Sequence, residues 1–291
     1  MLCRARVAIG VRLSDCERAE AREFKLCRLR TSILGSSTAL SNHWNAINDG
    51  FGLKSMDYWF NTLATGTKLA PSSLRSLLDD GFIVIPGPVP PEHLPELADA
   101  YDHAVLHADP TDVGQGGSTT RVHDFVNRGA KFDSLYLHPP VLEACCRLIE
   151  QPFKLSSLLS RTLNPQTPPQ KLHVDFPLDG AGWPMLGFIF MVDEFRPETG
   201  ATCFLRRSHG VKDSPGASHE LVHACGPAGS IIVYNGSTWH GHGANVTDRP
   251  RRSIQGAYIR RTRKPSVHLP ARMQLATLNR INPLAKYLLA L

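Results

Sequence analysis

The sequence predicts a mainly β fold with flanking helices: a jelly-roll core buttressed by α-helices on its N-terminal side. Two observations carry that expectation. Between Pro71 and Glu150, apolar residues recur three and four positions apart behind proline-marked starts, which is the helical period. After Pro152 the chain turns to short apolar runs broken by Gly, Pro, Asn and Asp clusters, as in sandwiches and jelly rolls. At 291 residues and 42% apolar content the chain can bury a sizeable core, and all-β units of this length often form one domain.

Residues 1–55 show no single helical period, and Ser36, Ser37, Thr38, Ser41 and Asn42 interrupt them, so they read as a poorly organised extension. A single domain is expected over 56–291, with a helical front at about 71–150, a jelly-roll core at about 151–262 and a basic C-terminal segment at 263–291. Pro71-Ser72-Ser73 starts a helix whose Leu74, Leu77 and Leu78 share a face, and Gly81 ends it. Phe82 to Pro86 reads as a short buried strand. Pro90-Pro91 and Pro139-Pro140 open two further helices, with Leu94, Leu97, Ala98 and Tyr101 on one inner face and Val141, Leu142, Cys145, Leu148 and Ile149 on the other. Strands are expected at 153–163, 171–176, 184–193, 201–205, 219–225, 229–234 and 252–261.

The net charge of +6 is unevenly placed: residues 251–291 carry nine basic and no acidic side chains. With few aromatics among them, this run reads as a solvated face, and no nucleic-acid partner is expected. Seven cysteines without a C-x-x-C pair argue against a disulfide scaffold or structural zinc. The longest apolar run, Met185 to Val192, is too short to span a bilayer, so no membrane partner is expected either. Arg4, Arg6 and Arg12 break any secretory apolar stretch, and a cytoplasmic location is expected.

The chemistry centres on Gln170-Lys171-Leu172-His173-Val174-Asp175-Phe176. On a strand, residues two apart point to one side, so His173 and Asp175 present an imidazole and a carboxylate together. A third ligand must come from elsewhere, and the segment Tyr234 to Asn245 offers His240 and His242 two apart. Two histidines and one carboxylate on one side of a metal leave its other side open, the arrangement of oxygen-activating Fe(II) sites. Beyond them lies Arg251, whose guanidinium is suited to gripping a carboxylate bidentately.

In these residues the chain resembles the phytanoyl-CoA dioxygenase-like family of Fe(II)/2-oxoglutarate-dependent oxygenases, in order from about Leu74 to Arg261. Gly81 to Ile85 is similar to the family's opening strand, and His173-Val174-Asp175 to its metal motif. Asp193 to Thr202, then Ser208-His209-Gly210, resembles its mid-barrel block. Gly229 to Val233 leads to Trp239-His240-Gly241, with Asn245, Thr247 and Arg251 at the family's spacing. The resemblance implies a double-stranded β-helix (cupin-like) core, with iron held by His173, Asp175 and His240. It further implies 2-oxoglutarate as co-substrate, O2, and Arg251 at the distal carboxylate of 2-oxoglutarate. Gln170 and His242 are implied as further co-substrate contacts, and Arg161 as a contact to 2-oxoglutarate or substrate or a residue bonded within the barrel. His242 stands where the family often has Ser, and Arg206-Arg207 replaces a usual Pro-Gly. Asp175 disfavours halogenation, because related halogenases place a small residue there.

The implied activity is hydroxylation of an unactivated C–H bond in a small organic substrate, with release of succinate and CO2. The alternative is a non-oxidative metal-binding cupin, an isomerase or ligand-binding barrel, which needs the same triad but no Arg251. Arg121 and His123 read equally as part of the substrate mouth or as a solvated loop. The run Arg260 to Lys264 reads either as favouring an acidic or CoA-linked substrate or as a solvated edge.

Overall fold

The computed structural model describes residues 56–211 and 219–291, so the extension expected at 1–55 lies outside the described residues. Helix α1 (Met56–Ala64) precedes α2 (Pro71–Asp80). Pro71 takes the first helical position, where its missing N–H costs nothing. Gly81 closes α2 at φ 88°, and its N–H returns to the Leu77 carbonyl. A side chain at Gly81 would be strained at that φ and would meet Thr238 Oγ1 at 2.4 Å. The turn thus feeds the chain straight into strand β1 (Phe82–Pro86).

Helices α3 (Leu94–Leu106), α4 (Asp133–Tyr136) and α5 (Pro139–Ile149) follow. The stretch read as a helical front also contains two strands, β2 (Val113–Gln115) and β3 (Thr119–Val122). Their short length and polar composition hid them: β2 is the edge strand of the sheet and β3 lies next to it. The remaining strands are β4 (Phe153–Leu163), β5 (Met185–Met191), β6 (Thr202–Leu205), β7 (Leu221–His223), β8 (Ser230–Asn235), β9 (His240–His242) and β10 (Arg251–Arg260). The basic C-terminal segment forms two short helices, α6 (Leu275–Arg280) and α7 (Pro283–Leu288).

Seven strands make one antiparallel sheet in the order β1-β8-β5-β10-β4-β3-β2, and three make a smaller sheet in the order β7-β6-β9. The alternation of side chains along each strand splits the core in two. Ile83, Ile85, Phe188, Phe190, Val233 and Ile254 point to the helices and pack with Leu97, Tyr101, Leu142 and Ile149. Phe82, Ile189, Met191, Ile232 and Tyr234 point the other way, toward Phe204 of the small sheet. The Phe82 and Phe204 rings stack with centroids 4.5 Å apart. Each fully buried Phe, Leu or Ile contributes about 1.5–3 kcal/mol, so both faces of the large sheet are strongly specified. The architecture is the mainly β, helix-flanked one expected from the sequence.

Residues 171–176, expected as a strand, are not one. They form a single isolated bridge, His173 to His240, and the chain around it is irregular. Pro168 and Pro169 lie just upstream and Pro177 just downstream, which prevents a continuous ladder. No helix among the described residues is long and apolar enough to cross a membrane.

Candidate metal centre

The segment carrying His173 and Asp175 is pinned to β9 and the turn before it by backbone bonds. His173 and His240 exchange N–H···O bonds of 2.9 Å in both directions, and Gln170 N–H donates to the His242 carbonyl at 3.0 Å. The Asp175 and Phe176 N–H groups both donate to the Gly236 carbonyl, at 2.9 and 3.1 Å. The pairing that a strand would have supplied is therefore made one bond at a time, and the two side chains still share a face.

The result is a convergent triad. One donor atom each from His173, Asp175 and His240 lies within 4.8 Å of the others. His173 Nε2 is 3.7 Å from Asp175 Oδ1, and His240 Nε2 is 3.6 Å from Asp175 Oδ2. Among the described residues no other group of three metal-capable side chains occurs. His240 Nδ1 lies 2.8 Å from the Thr238 carbonyl, which requires the proton on Nδ1 and leaves the Nε2 lone pair for a metal. Burial lowers the His240 pKa against the opposing pull of Asp175, which favours the neutral ring that a ligand needs. This donor set, three groups on one side of a cavity, fits an Fe(II) ion with open positions.

Tyr234, which no sequence motif singles out, is part of the centre. Its hydroxyl donates to Asp175 Oδ2 at 2.8 Å. Room for its ring comes from Gly187, its register partner on β5, where a Cβ would meet ring atoms of Tyr234 at 2.2 Å. A glycine inside the apolar run Met185 to Val192 was the available signal, since strand glycines mark close approaches.

A cavity of about 310 Å³ opens beside the triad. Gln170, His242 and Arg251 all line it, so the structure brings these three residues together beside the triad. Arg121, His123 and Arg161 line it as well, so Arg121 and His123 belong to its wall. Asn245 bonds the Asn164 and Arg249 carbonyls and accepts from Thr247, building the turn that delivers Arg251 into β10.

Arg251 is buried, with its guanidinium 4.0 Å over the Phe195 ring, and Nη2 donates to the Gly200 carbonyl at 3.0 Å. Its Nε and Nη1 have no partner. Burial, with Arg161 nearby, pulls its pKa down to about 9. Buried, unpaired donors are costly unless a ligand satisfies them, and a carboxylate matches this fork. Gln170 is engaged within the protein: its Oε1 accepts from Arg161 Nη2 at 3.1 Å. His242 bonds the Gly243 carbonyl through Nδ1 at 2.9 Å, and burial followed by the surrounding arginines lowers its pKa to about 4.

The chain is similar to known proteins in sequence and in fold. The sequence model of the phytanoyl-CoA dioxygenase family matches residues 77–253. The multifunctional dioxygenase prhA of Penicillium brasilianum is 27% identical over 228 residues, 68% of this chain and 75% of that protein. Among solved structures, the non-haem α-ketoglutarate-dependent epimerase SnoN from nogalamycin biosynthesis superposes with a TM-score of 0.58 at 22% identity, over 67% of this chain and 85% of that one. HygX from Streptomyces hygroscopicus, solved with nickel, 2-oxoglutarate and hygromycin B bound, gives a TM-score of 0.56 at 17% identity, over 67% and 88%. The last two likenesses speak for the shared fold, and the family model covers well over half of the chain in the stretch that carries the triad: this protein belongs to the phytanoyl-CoA dioxygenase family.

Proposed function

We propose that this protein is an Fe(II)- and 2-oxoglutarate-dependent dioxygenase that hydroxylates an unactivated C–H bond of a small organic substrate, with release of succinate and CO2. One observation carries the reading: the His173–Asp175–His240 triad shares a cavity with a buried Arg251 whose Nε and Nη1 lack partners. The triad would hold the iron, and Arg251 would bind the far carboxylate of 2-oxoglutarate. Iron with 2-oxoglutarate and O2 supplies the oxidising power for the C–H bond.

The chain's own residues do the rest. Tyr234 keeps Asp175 oriented, and Thr238 sets the His240 tautomer. Leu159 and Ile189 line the cavity with apolar surface that excludes water from the reacting centre. A non-oxidative metal-binding barrel would keep the triad but has no use for an unpaired Arg251. Arg251→Ala separates the readings: the oxygenase loses 2-oxoglutarate binding, whereas a barrel without that co-substrate is indifferent.

The direct test is anaerobic titration of the protein with Fe(II) and then 2-oxoglutarate, followed by a substrate screen scored by succinate release. A metal-to-ligand charge-transfer band is expected. A protein that binds Fe(II) but gives no band and no 2-oxoglutarate-dependent spectral change would defeat the proposal.

A further inference from the structure

The cavity holds more positive charge than the co-substrate can use. Arg121, Arg161 and Arg251 all line it, and Asp175 is its one carboxylate. Arg121 and Arg161 are direct register partners on β3 and β4, where side chains stand about 5 Å apart on one face and like charges repel. Among the described residues neither forms an ion pair with a carboxylate, and the Nε of Arg161 is buried without a partner. Gln170 fixes the Arg161 guanidinium from one side, so its position is set before any ligand arrives.

Two guanidiniums on one wall of a cavity, Arg161 largely buried and Arg121 at the exposed rim, repel each other unless a ligand brings negative charge. Under the function proposed above, on which this inference rests, 2-oxoglutarate does not bring it. One of its carboxylates goes to the metal and the other to Arg251. A second cavity, of about 260 Å³, shares Leu159, Asp175, Tyr234 and Gln255 with the first and extends along Ser156, Phe176 and Met185.

We propose that Arg161 and Arg121 form an oxyanion subsite for the primary substrate, so that the substrate is an organic carboxylate or phosphate ester. Its anionic group sits between the two guanidiniums, and its carbon skeleton runs past Asp175 into the second cavity. Gln170 is a positioning residue that acts through Arg161.

The test uses the full chain loaded with Ni(II) and 2-oxoglutarate and titrated calorimetrically with benzoate, phenyl phosphate and the neutral benzamide. At least one anion is expected to bind at least tenfold more tightly than benzamide, and which of the two binds better separates carboxylate from phosphate. Arg161→Met is expected to weaken that anion by at least tenfold, leaving benzamide unchanged and the dissociation constant of 2-oxoglutarate within about threefold. Arg121→Met, at an exposed position, should weaken the anion at least threefold and keeps the test open if Arg161→Met fails to fold. Anions that bind no better than benzamide would overturn the inference. So would an Arg161→Met protein that loses 2-oxoglutarate, because Arg161 would then be a co-substrate anchor. A wild-type protein that does not bind 2-oxoglutarate fails differently: it defeats the oxygenase reading itself.

Discussion

The Tyr234 hydroxyl donates a 2.8 Å hydrogen bond to Asp175 Oδ2, the same carboxylate oxygen that lies 3.6 Å from His240 Nε2. A carboxylate able to rotate would sample several directions, and this bond selects the one that faces the histidines. Burial and the neighbouring carboxylate both push the Tyr234 pKa up, so the phenol stays a donor throughout the working pH range. Tyr234→Phe should weaken metal binding by about tenfold with little change in fold, as for other hydrogen bonds that orient metal ligands. Competition with a chromophoric chelator measures this, and an unchanged metal affinity would remove Tyr234 from the centre.

Gly187 should prove as sensitive as Tyr234 although it touches no metal. A Cβ there would collide with the Tyr234 ring at 2.2 Å. Gly187→Ala must therefore displace the ring or bend β5, at a cost of about 1–3 kcal/mol. Urea unfolding should show the loss, and a chelator competition should show metal binding weakened by the amount expected for Tyr234→Phe. The two substitutions should be non-additive in metal affinity, because both act through the same hydrogen bond; simple additivity would contradict this coupling.

His240 and His242 face one cavity, yet they should behave differently on substitution. His240 Nε2 is aimed at Asp175, whereas His242 stands among Arg121, Arg161 and Arg251. His240→Ala should lower metal affinity by about 100-fold or more, since one of three ligands is lost. His242→Ala should leave it within about threefold and should alter 2-oxoglutarate binding instead. Metal content after dialysis distinguishes them, and loss of metal in His242→Ala would reverse the assignment.

Arg251 should be a group that lowers stability in the free protein and is needed for the ligand. Its guanidinium is buried with two donor atoms unsatisfied, and burial depresses its pKa to about 9. Replacing an unpaired buried charge by an apolar side chain of similar length removes a desolvation cost. Arg251→Met should raise the stability of the metal-free protein by about 1 kcal/mol or more. The same change should weaken 2-oxoglutarate binding by about 100-fold, a typical loss for one half of a buried charged pair. Thermal unfolding with and without 2-oxoglutarate reads both effects. A variant still stabilised by 2-oxoglutarate as much as the wild type would end the case for Arg251 as its anchor.

Much of this was legible in local patterns. The proline-led helices α2 and α5, the apolar strands β5 and β8 and the order of His173, Asp175, His240 and Arg251 depend on spacing and side-chain chemistry within short stretches. Other features had no such signature. Strands β2 and β3 are short and polar and lie at one end of the sheet, and the bond from Tyr234 to Asp175 spans 59 positions. Strand geometry predicts His173 and Asp175 on one face, yet individual backbone bonds to His240 and Gly236, and not a strand, hold them there.

The amino-acid sequence by itself determined the fold class and which residue types could serve a metal and a dicarboxylate, because periodicity and donor chemistry are properties of neighbouring residues. Only the tertiary structure decided that Tyr234 steadies Asp175, that Gln170 holds Arg161, and that Arg121 and Arg161 share one cavity with no ion-pair partner among the described residues. Those facts arise from strand register and burial, which bring together groups that are distant along the chain and settle which of their hydrogen bonds are left unmade.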